Sequence, residues 1–559
     1  MEKTLAYLTI TAALTASAAV AAAATVIQAE KAAIHTEGGE IAGGVWNLWS
    51  NGRVGDHLRI AEPGAYRITV RAYGSPAAGV WPRMALMLDG RTLATLDVNR
   101  RNPADYRFSA ELPAGTHEIA VAFLNDHLAG NEDRNLFLDH ITIHPPAGVA
   151  DPSPVGKAEL AGKSKRREQK TVRFADEQIE KNRKSDAAIR VVDAAGRPVA
   201  GAPIQVEQTG HDFLFGCNIY RFDRFKKEAD NAAYKKRFEE LFNYATVGFY
   251  WRWYEHERGK PEYAYTDKVV AWCAERGIKL KGHPLLWGHD AGEPPWAGGQ
   301  PKPELQRQRV LDIMRRYHGK IDFWEVVNEP SHCRKVKIDG PYRWAREADP
   351  TAYTIVNDYY VMADGYPPFF ELCKKAIKDG VPFDGIGIQA HEPRTMRFPL
   401  DRVWEILDRY AMLGKELHVT EFTPASSGKK ITGSHLAGNW DEAAQADYAE
   451  KFYRVCFAHP AMRGITWWDL CDNGSWLPGG GMLRADTSPK PVYNALKRLI
   501  HRDWKTQATG KTDATGRFPF RGFHGTYRVV TQAKGKRVEE DFHIEKAARN
   551  ELTITVPSE

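Results

Sequence analysis

Residues 383–422 read FDGIGIQAHEPRTMRFPLDRVWEILDRYAMLGKELHVTEF. The first and last segments, FDGIGIQAH and LHVTEF, are short apolar runs of the kind that form buried strands. Between them, RVWEILDRYAMLG carries apolar residues at the three- and four-residue spacing of a helix packed on one face. A strand, a helix and a second strand in this order indicate a crossover unit, so the two strands are predicted to lie parallel.

The same alternation of strand and helix extends in both directions from this stretch. Eight βα units over about 290 residues are the repeat count and size of a TIM, or (β/α)₈, barrel. We therefore predict an α/β fold whose barrel occupies residues 209–502. The eight candidate strands are FLFGCNI near residue 215, ATVGFY (245–250), KLKGHPLLW (279–287), FWEVVNE (323–329), YTIVNDYY (353–360), FDGIGIQAH (383–391), LHVTEF (417–422) and GITWWDL (464–470).

Short strands separated by turn residues lie on both sides of the predicted barrel. Residues 25–147 alternate apolar and polar positions between Gly, Pro, Asn and Asp, which predicts a β-sandwich of jelly-roll type. Residues 148–185 are predicted to be a Pro-, Gly- and Lys-rich linker that ends in a charged helix at EQIEKNRK. Residues 186–208 are predicted to be a β-hairpin, and residues 503–559 a small β-module that pairs with it.

The composition is that of a globular protein and excludes several classes of function. The 77 Lys and Arg against 71 Asp and Glu give a net charge of +6 over 559 residues, which is too weak to indicate a nucleic-acid partner. The 16 Trp, 22 Tyr and 23 Phe provide flat apolar faces that suit stacking on ligands, sugars included. The six Cys form no CxxC pair, which argues against a zinc site and leaves one or two disulfides open.

The N-terminus has the pattern of an export signal. No charged residue occurs between Thr4 and Ala29, and the stretch is apolar and rich in small residues after the basic Lys3. We predict a signal peptide over residues 1–24, and hence a secreted, cell-surface or periplasmic protein without membrane attachment after cleavage. The alternative is an uncleaved membrane anchor, because the stretch is long enough to span a bilayer.

Two glutamates mark the expected active site of the barrel, which lies at the C-terminal ends of its strands. The fourth strand ends in Asn328-Glu329-Pro330, and the seventh strand carries Glu421. Glycoside hydrolysis needs such a pair of carboxyl groups, one to protonate the leaving oxygen and one to face the anomeric carbon. The alternative is that each glutamate is structural, pairing with an arginine or capping a helix.

Other strand ends would add polar and aromatic groups to the same mouth. Together they offer hydrogen-bond partners for hydroxyl groups and flat faces for sugar rings. They are His283 and Trp287 from the third strand, Gln389 and His391 from the sixth, and Trp468 and Trp476 from the eighth strand and the loop after it.

These segments resemble glycoside hydrolase family 10, the retaining endo-β-1,4-xylanases, over about residues 210–500. FWEVVNEP is similar to the family's acid/base strand and LHVTEF to its nucleophile strand. GHPLLW, YTIVNDYY, GIGIQAH, GITWWDLCDNGSW and SPKPVYNAL match further family segments in the right order. No HExxH, GxxxxGK(S/T) or Rossmann glycine motif occurs in the context it needs, so we expect no cofactor for catalysis.

The resemblance also implies a role for each residue at the mouth. Glu329 would be the general acid/base and Glu421 the nucleophile, with His391 orienting Glu421. Asn328 would reach the 2-hydroxyl of the bound sugar and help to hold Glu421. The subsite nearest the cleaved bond would be shaped by His283, Gln389 and Trp468, and the aromatic platforms would be Trp287 and Trp476.

The second strand departs from the family pattern. The family has a Glu-Asn pair and a Lys there for the glycone side of the substrate, whereas this chain has Val247 in place of the Asn and Tyr250 in place of the Lys. We therefore expect the glycone-binding wall to be rebuilt, with Tyr250 as one of its residues.

The N-terminal region resembles the calcium-dependent, xylan-binding type of carbohydrate-binding module. The resemblance rests on GGVWNLWSNGRVGD, GVWPRMALMLDG and FLNDHLAGNEDRNLFLDHITI. The last segment contains Asn125, Asp126, Asn131, Asp133 and Asn135, whose oxygen atoms suit Ca²⁺, with Asp126 and Asp133 as the candidate ligands. The alternative is an ordinary turn rich in Asn and Asp.

Three functional hypotheses follow from the sequence. The leading one is a secreted, monomeric, retaining endo-glycosidase that cleaves internal β-1,4-xylosidic bonds of plain or decorated xylan. The second is a glycosidase of the same fold that acts on another β-linked glycan or from chain ends. The third is a non-catalytic carbohydrate-binding protein built on a barrel scaffold.

Overall fold

The computed structural model of the protein describes residues 24–35, 38–129, 132–364, 366–533 and 535–557. The chain forms two compact units, one up to Leu160 and one from Ala161 onward. The predicted signal segment, apart from its last residue, lies outside the described residues. Within the described ranges, no helix combines the length and the apolar character that a membrane span needs.

The N-terminal unit is a sandwich of two antiparallel sheets, as predicted. Apolar side chains from alternate positions of both sheets, such as Ile68, Val70, Val121 and Ile141, fill the space between them. The first sheet contains Gly39–Ile41, Val45–Leu48, Asn135–His144, Gly64–Ser75 and Ala104–Leu112 in that order, with Thr25–Gln28 on Asn135–His144. The second contains Ser153–Pro154, Gly52–Ile60, Gly115–Phe123, Arg83–Leu88 and Arg91–Asp97, with Ile34–His35 on Gly52–Ile60.

Much of the segment predicted as a linker is helical. One helix runs from Lys157 to Asn182, so it begins well before the charged stretch predicted to be helical. Its inner face contains Ala175 and Ile179, but also the buried polar residues Glu168 and Thr171. Glu168 is held by the Arg397 guanidinium, whose Nε and Nη2 lie 2.9 and 2.8 Å from its two oxygens. Only the end of this helix was predicted, because two of its five buried residues, Glu168 and Thr171, are polar and hide the apolar spacing of its earlier turns.

The strands that directly precede the barrel in the sequence and those that follow it form one β-module. Lys184–Asp193 pairs with Arg517–Phe523 and Asn550–Val556, and Pro203–His211 pairs with Gln507–Lys511 and Gly525–Ala533. The predicted pairing with the C-terminal strands is thus confirmed. The prediction of a hairpin is wrong, because its two strands, Lys184–Asp193 and Pro203–His211, belong to different sheets. The two sheets share one apolar core. The remaining strand of the module is Lys536–Ile544.

The barrel is closed and all of its strands are parallel, as predicted. Pro284 interrupts the third strand and divides it into two short segments. The eighth strand pairs with the first, which completes the ring. The strands are Leu214–Asn218, Tyr244–Gly248, Lys279–His283 with Leu286–Trp287, Phe323–Asn328, Tyr353–Asp358, Gly385–Ala390, Glu416–Phe422 and Met462–Trp467.

Amphipathic helices surround the barrel and bury their apolar faces against it. In Leu400–Ala411, for example, Val403, Ile406, Leu407 and Tyr410 are buried at helical spacing. The helices are Glu228–Glu239, Trp251–Tyr254, Tyr263–Ala274, Pro303–Arg316, Asp339–Ala348, Val361–Asp364, Pro367–Lys378, Leu400–Ala411, Glu442–Ala458 and Pro491–Arg498. None of the six cysteines forms a disulfide, and all but Cys333 are buried.

Candidate active site

Glu329 follows the last residue of the fourth strand at the C-terminal mouth of the barrel. Its backbone lies in the left-handed region, with φ of 52°, a conformation that costs about 1 kcal/mol for a residue other than glycine. The Glu329 N–H donates to the carbonyl of Asn357 on the neighbouring strand, 2.9 Å away. The fold therefore holds this turn firmly, and the turn sets the direction of the Glu329 side chain.

Three donors surround the Glu329 carboxyl group. Gln389 Nε2 lies 2.9 Å from one oxygen, and Trp287 Nε1 lies 3.0 Å from the other. The Cys333 thiol also points at that second oxygen, at 3.6 Å. The pKa of Glu329 is raised to about 7, mainly by burial. The hydrogen bond from Gln389 lowers this pKa, and the negative charge of Glu421 raises it. Glu329 can therefore carry a proton near neutral pH.

Glu421 is buried in the seventh strand, and two side chains fix its carboxyl group. His391 Nε2 lies 3.0 Å from one oxygen, and Asn357 Nδ2 donates to the other over 3.1 Å. Asn357 also donates to Asn328 over 2.9 Å. The contact with Glu421 expected of Asn328 is thus made by Asn357, and Asn328 acts on Glu421 only through it.

Asn357 is one of the site residues that the sequence analysis missed. It lies in YTIVNDYY, which was assigned only as the fifth strand, and its side chain is fully buried. The Thr420 hydroxyl donates to its carbonyl oxygen over 2.6 Å, which leaves the amide nitrogen directed at Glu421. A polar residue near the C-terminal end of a barrel strand was the signal that could have identified it.

Beneath the two glutamates lies a buried charge network. Glu325 is fully buried and accepts hydrogen bonds from the Lys281 ammonium group and from His283 Nδ1. Burial alone would raise the pKa of Glu325, but the charges of Lys281 and His283 outweigh it and hold the pKa well below its usual range. His283 is thereby fixed with Nε2 directed at the mouth, 3.9 Å from a Glu421 oxygen.

His283, Glu325 and Glu421 lie close enough for a cation to bridge them, the one such group among the described residues. The two Glu325 oxygens, however, already accept hydrogen bonds from Lys281 and His283. The charge of the Glu325 carboxylate is therefore balanced without a cation. This group is therefore a hydrogen-bonded support for the mouth and does not fit a metal centre.

Aromatic rings line the mouth around these polar groups. Trp468 lies edge-on to His283 with ring centroids 5.3 Å apart, and Trp476, 55% exposed, lies against His391 at 4.7 Å. Trp287 stacks on His289 at 4.4 Å. Tyr250 takes the place expected of a lysine, and its hydroxyl lies 3.2 Å from His283 Nε2. The structure thus brings all the predicted barrel residues to one mouth.

The candidate calcium ligands Asp126 and Asp133 are both exposed residues of the N-terminal unit. Partial burial raises the pKa of Asp126, and the negative charge of Asp133 raises it further. Asn135 Nδ2 donates to Asp133 over 2.8 Å, whereas Asn125 is occupied with backbone groups of Trp81 and Arg83. Two carboxyl groups that repel each other fit a divalent cation. Asn131 lies outside the described residues.

Two carboxyl groups and several aromatic rings at the mouth of a parallel barrel are the arrangement of a barrel glycoside hydrolase. Comparison with sequence families agrees with this class. The model of glycosyl hydrolase family 10 matches residues 207–499, and the model of a Ca-dependent, xylan-binding carbohydrate-binding module matches residues 67–155. The first match covers more than half of the chain, so the protein belongs to glycosyl hydrolase family 10.

Individual relatives are distant. The chain is 28% identical over 374 residues to anti-sigma-I factor RsgI6 of Acetivibrio thermocellus, covering 65% of this chain and 47% of that protein. It is 27% identical over 407 residues to endo-1,4-beta-xylanase 1 of Arabidopsis thaliana, covering 69% of this chain and 40% of that protein. It therefore spans less than half the length of these two relatives. The crystal structure of native xylanase 10B from Thermotoga maritima is 26% identical, covers 52% of this chain and 96% of that one, and has a TM-score of 0.44.

The raised pKa of Glu329 predicts that replacing this residue changes the free energy of unfolding in a pH-dependent way. A carboxyl group whose pKa is higher in the folded state destabilises the fold once it ionises, so the cost is absent below about pH 4 and complete above about pH 7. Glu329→Gln should therefore increase the free energy of unfolding at pH 8 by about 3 kcal/mol and change it little at pH 4.

Denaturant unfolding at the two pH values measures this difference. Glu257→Gln is the matched control, because Glu257 is exposed, and it should show no such pH dependence. Equal effects of Glu329→Gln at pH 4 and pH 8 would show that the carboxyl group is not held protonated.

Proposed function

We propose that the protein is an exported, retaining endo-β-1,4-xylanase that hydrolyses internal bonds of plain or decorated xylan. The observation that carries the proposal is the unequal environment of the two glutamates. Glu329 has a pKa raised to about 7 by burial and by Glu421, while Glu421 accepts hydrogen bonds from His391 and Asn357. One group is suited to donate a proton and the other to attack as a carboxylate.

In the first step, a Glu421 oxygen forms a bond to the anomeric carbon. The bond from that carbon to the glycosidic oxygen breaks, and Glu329 gives its proton to the departing oxygen. His391 and Asn357 hold Glu421 in position for the attack, and Gln389 and Trp287 hold Glu329 beside the leaving group.

In the second step, Glu329 acts as a base. The charge of Glu421 has been consumed in the glycosyl ester, so one cause of the raised pKa of Glu329 is removed and the group remains ionised. It takes a proton from water while the water oxygen attacks the anomeric carbon and releases Glu421. Two inversions at one carbon give net retention of configuration.

The N-terminal module is proposed to bind xylan with calcium held by Asp126 and Asp133. A binding module on the same chain raises the local concentration of an insoluble polymer at the barrel mouth. Export is part of the proposal because the uncharged stretch Thr4–Ala29 follows a basic residue, and an enzyme for an extracellular polymer must reach it. We propose that the enzyme acts as a monomer.

A second candidate is a glycosidase that acts on another β-linked glycan or in exo mode. Tyr250 and Val247 favour it, since they remove a charge and an amide from the wall where the family binds the glycone. A non-catalytic carbohydrate-binding protein would have no use for a buried, protonated Glu329 beside an oriented Glu421.

Incubation with xylan, glucan and mannan, followed by analysis of product length and anomeric configuration, tests the proposal. We expect β-anomers of xylo-oligosaccharides as the first products of xylan, and Glu329→Ala should reduce their release by about 10⁴-fold or more. Monosaccharides alone or products from another glycan would support the second candidate. No cleavage of any glycan would contradict an enzymatic function.

Calcium dependence can be tested in the full chain carrying Glu421→Ala, so that the polymer is not consumed. We expect the fraction bound to insoluble xylan to fall at least about tenfold on addition of a chelator or with Asp126→Ala, because either change removes the cation or its ligand. Asp105→Ala, at an exposed site in the same module, is the control and should bind normally. Binding that ignores both the chelator and Asp126→Ala would exclude the calcium proposal.

A further inference from the structure

Trp476 lies in an exposed loop of the mouth, and a buried carboxyl group holds its backbone. The Trp476 N–H donates to Asp469 Oδ2 over 2.7 Å, and this is the one hydrogen bond that Trp476 makes to any of the described residues. The Trp476 ring is 55% exposed and packs edge-on against His391 at 4.7 Å. The place of this ring at the mouth therefore depends on the bond to Asp469 and on the contact with His391.

Asp469 is itself held from the opposite side. It lies two residues after the eighth barrel strand, and Asn218 is the last residue of the first strand. Asn218 Nδ2 donates to Asp469 Oδ1 over 3.1 Å, and both residues are buried, with 1% and 7% of their surface exposed. These two strands pair where the barrel closes. Asp469 is therefore a fixed point from which Trp476 is held.

A second buried group holds the ends of the same loop. Lys490 Nζ lies 2.7 Å from Asp472 Oδ2 and 3.1 Å from the carbonyl oxygen of Gly479, and Lys490 is 1% exposed. These contacts fix the loop before and after Trp476. Asp469 adds the contact that is made with Trp476 itself.

The backbone of Asp469 has a conformation that is uncommon for a residue other than glycine. Its φ is 71°, in the left-handed region that favours glycine. Burial also raises the pKa of Asp469, and the hydrogen bonds from Trp476 and Asn218 oppose this increase. A strained backbone and a buried carboxyl group both cost free energy, and such strain is found most often at functional sites.

We propose that Asp469 is a positioning residue, which holds the Trp476 ring against His391 and thereby keeps an aromatic platform in place for a sugar unit of the substrate. The inference rests on the proposed function, since it concerns how the mouth binds xylan. Asp469 acts only through Trp476 and does not touch the sugar. Its loss should weaken substrate binding more than bond cleavage, because Asn357 still holds Glu421 when Trp476 moves.

The test is Asp469→Gly, which removes the carboxyl group and suits a φ of 71°. Loss of the platform should raise KM for xylohexaose about 3- to 10-fold and leave kcat within about twofold of the wild type. Asp469→Asn should recover most of the wild-type KM. Its amide oxygen can accept from the Trp476 N–H, and its amide nitrogen can donate to Asn218 once the Asn218 amide has turned over.

A double-mutant cycle with Trp476→Ala measures whether Asp469 acts through Trp476. If it does, Asp469→Gly causes no further increase in KM once the Trp476 ring is absent. A residue with only a structural role would instead lower kcat and thermal stability in both backgrounds, and the two effects on kcat/KM would multiply.

Thr487→Gly is the matched control. Thr487 is also buried, follows the eighth strand in the same segment and has a φ of 66°. Its N–H donates to the carbonyl of Arg484, which is not a residue of the mouth. This variant should keep the wild-type KM and kcat, which would show that a glycine at a left-handed position does not by itself weaken binding.

Comparison with the wild type separates the inference from the proposed function. If the wild type releases xylo-oligosaccharides and Asp469→Gly keeps the wild-type KM, or if its effect multiplies with that of Trp476→Ala, the inference is overturned while the proposed function stands. If the wild type degrades no glycan, the proposed function fails and the inference fails with it. A raised KM with unchanged kcat that disappears in the Trp476→Ala background supports both.

Discussion

The burial of two carboxyl groups at one barrel mouth is the constraint on which the rest of the site depends. Glu421 is kept in place by hydrogen bonds from His391 and Asn357, and its charge adds to the burial that raises the pKa of Glu329 to about 7. If the Glu329 carboxyl were moved to solvent, it would lose the burial that is the main cause of its raised pKa and would no longer hold a proton near neutral pH. The barrel brings them together because parallel strands all end at the same face.

The buried charge network below the mouth also holds the catalytic groups in place. A buried glutamate is costly unless it is paired, and Glu325 is paired with Lys281 and His283 at once. The pairing fixes the orientation of His283, which in turn supports Tyr250 and lies near Glu421. The interior of the barrel is thus a polar support for the catalytic groups, surrounded by a large apolar core.

Features that depend on local pattern could be predicted from the sequence. The barrel strands are buried runs bracketed by helices, so their number, order and direction were predicted. The glutamates and most of the mouth residues were found because they occupy strand ends. The family resemblance supplied the roles of these residues, and the same resemblance made the loss of the lysine at Tyr250 visible.

Features that depend on a distant partner could not be predicted. The helix Lys157–Asn182 buries Glu168, and its partner Arg397 is more than two hundred positions away. The strands around residues 190 and 206 looked like a hairpin, but strands from the C-terminus separate them into two sheets. Asn357 looked like any polar residue of a strand, because only the folded barrel brings it to Glu421.

Chemical rescue of Glu421→Ala tests the central claim most directly. The account predicts that this variant hydrolyses an activated aryl β-xylobioside at least about 10⁴-fold more slowly than the wild type. Added azide should occupy the space left by the carboxylate, restore turnover and give the α-glycosyl azide, the product of a single inversion. Rescue that yields the β-azide, or no rescue at any azide concentration, would contradict the assignment of Glu421 as the nucleophile.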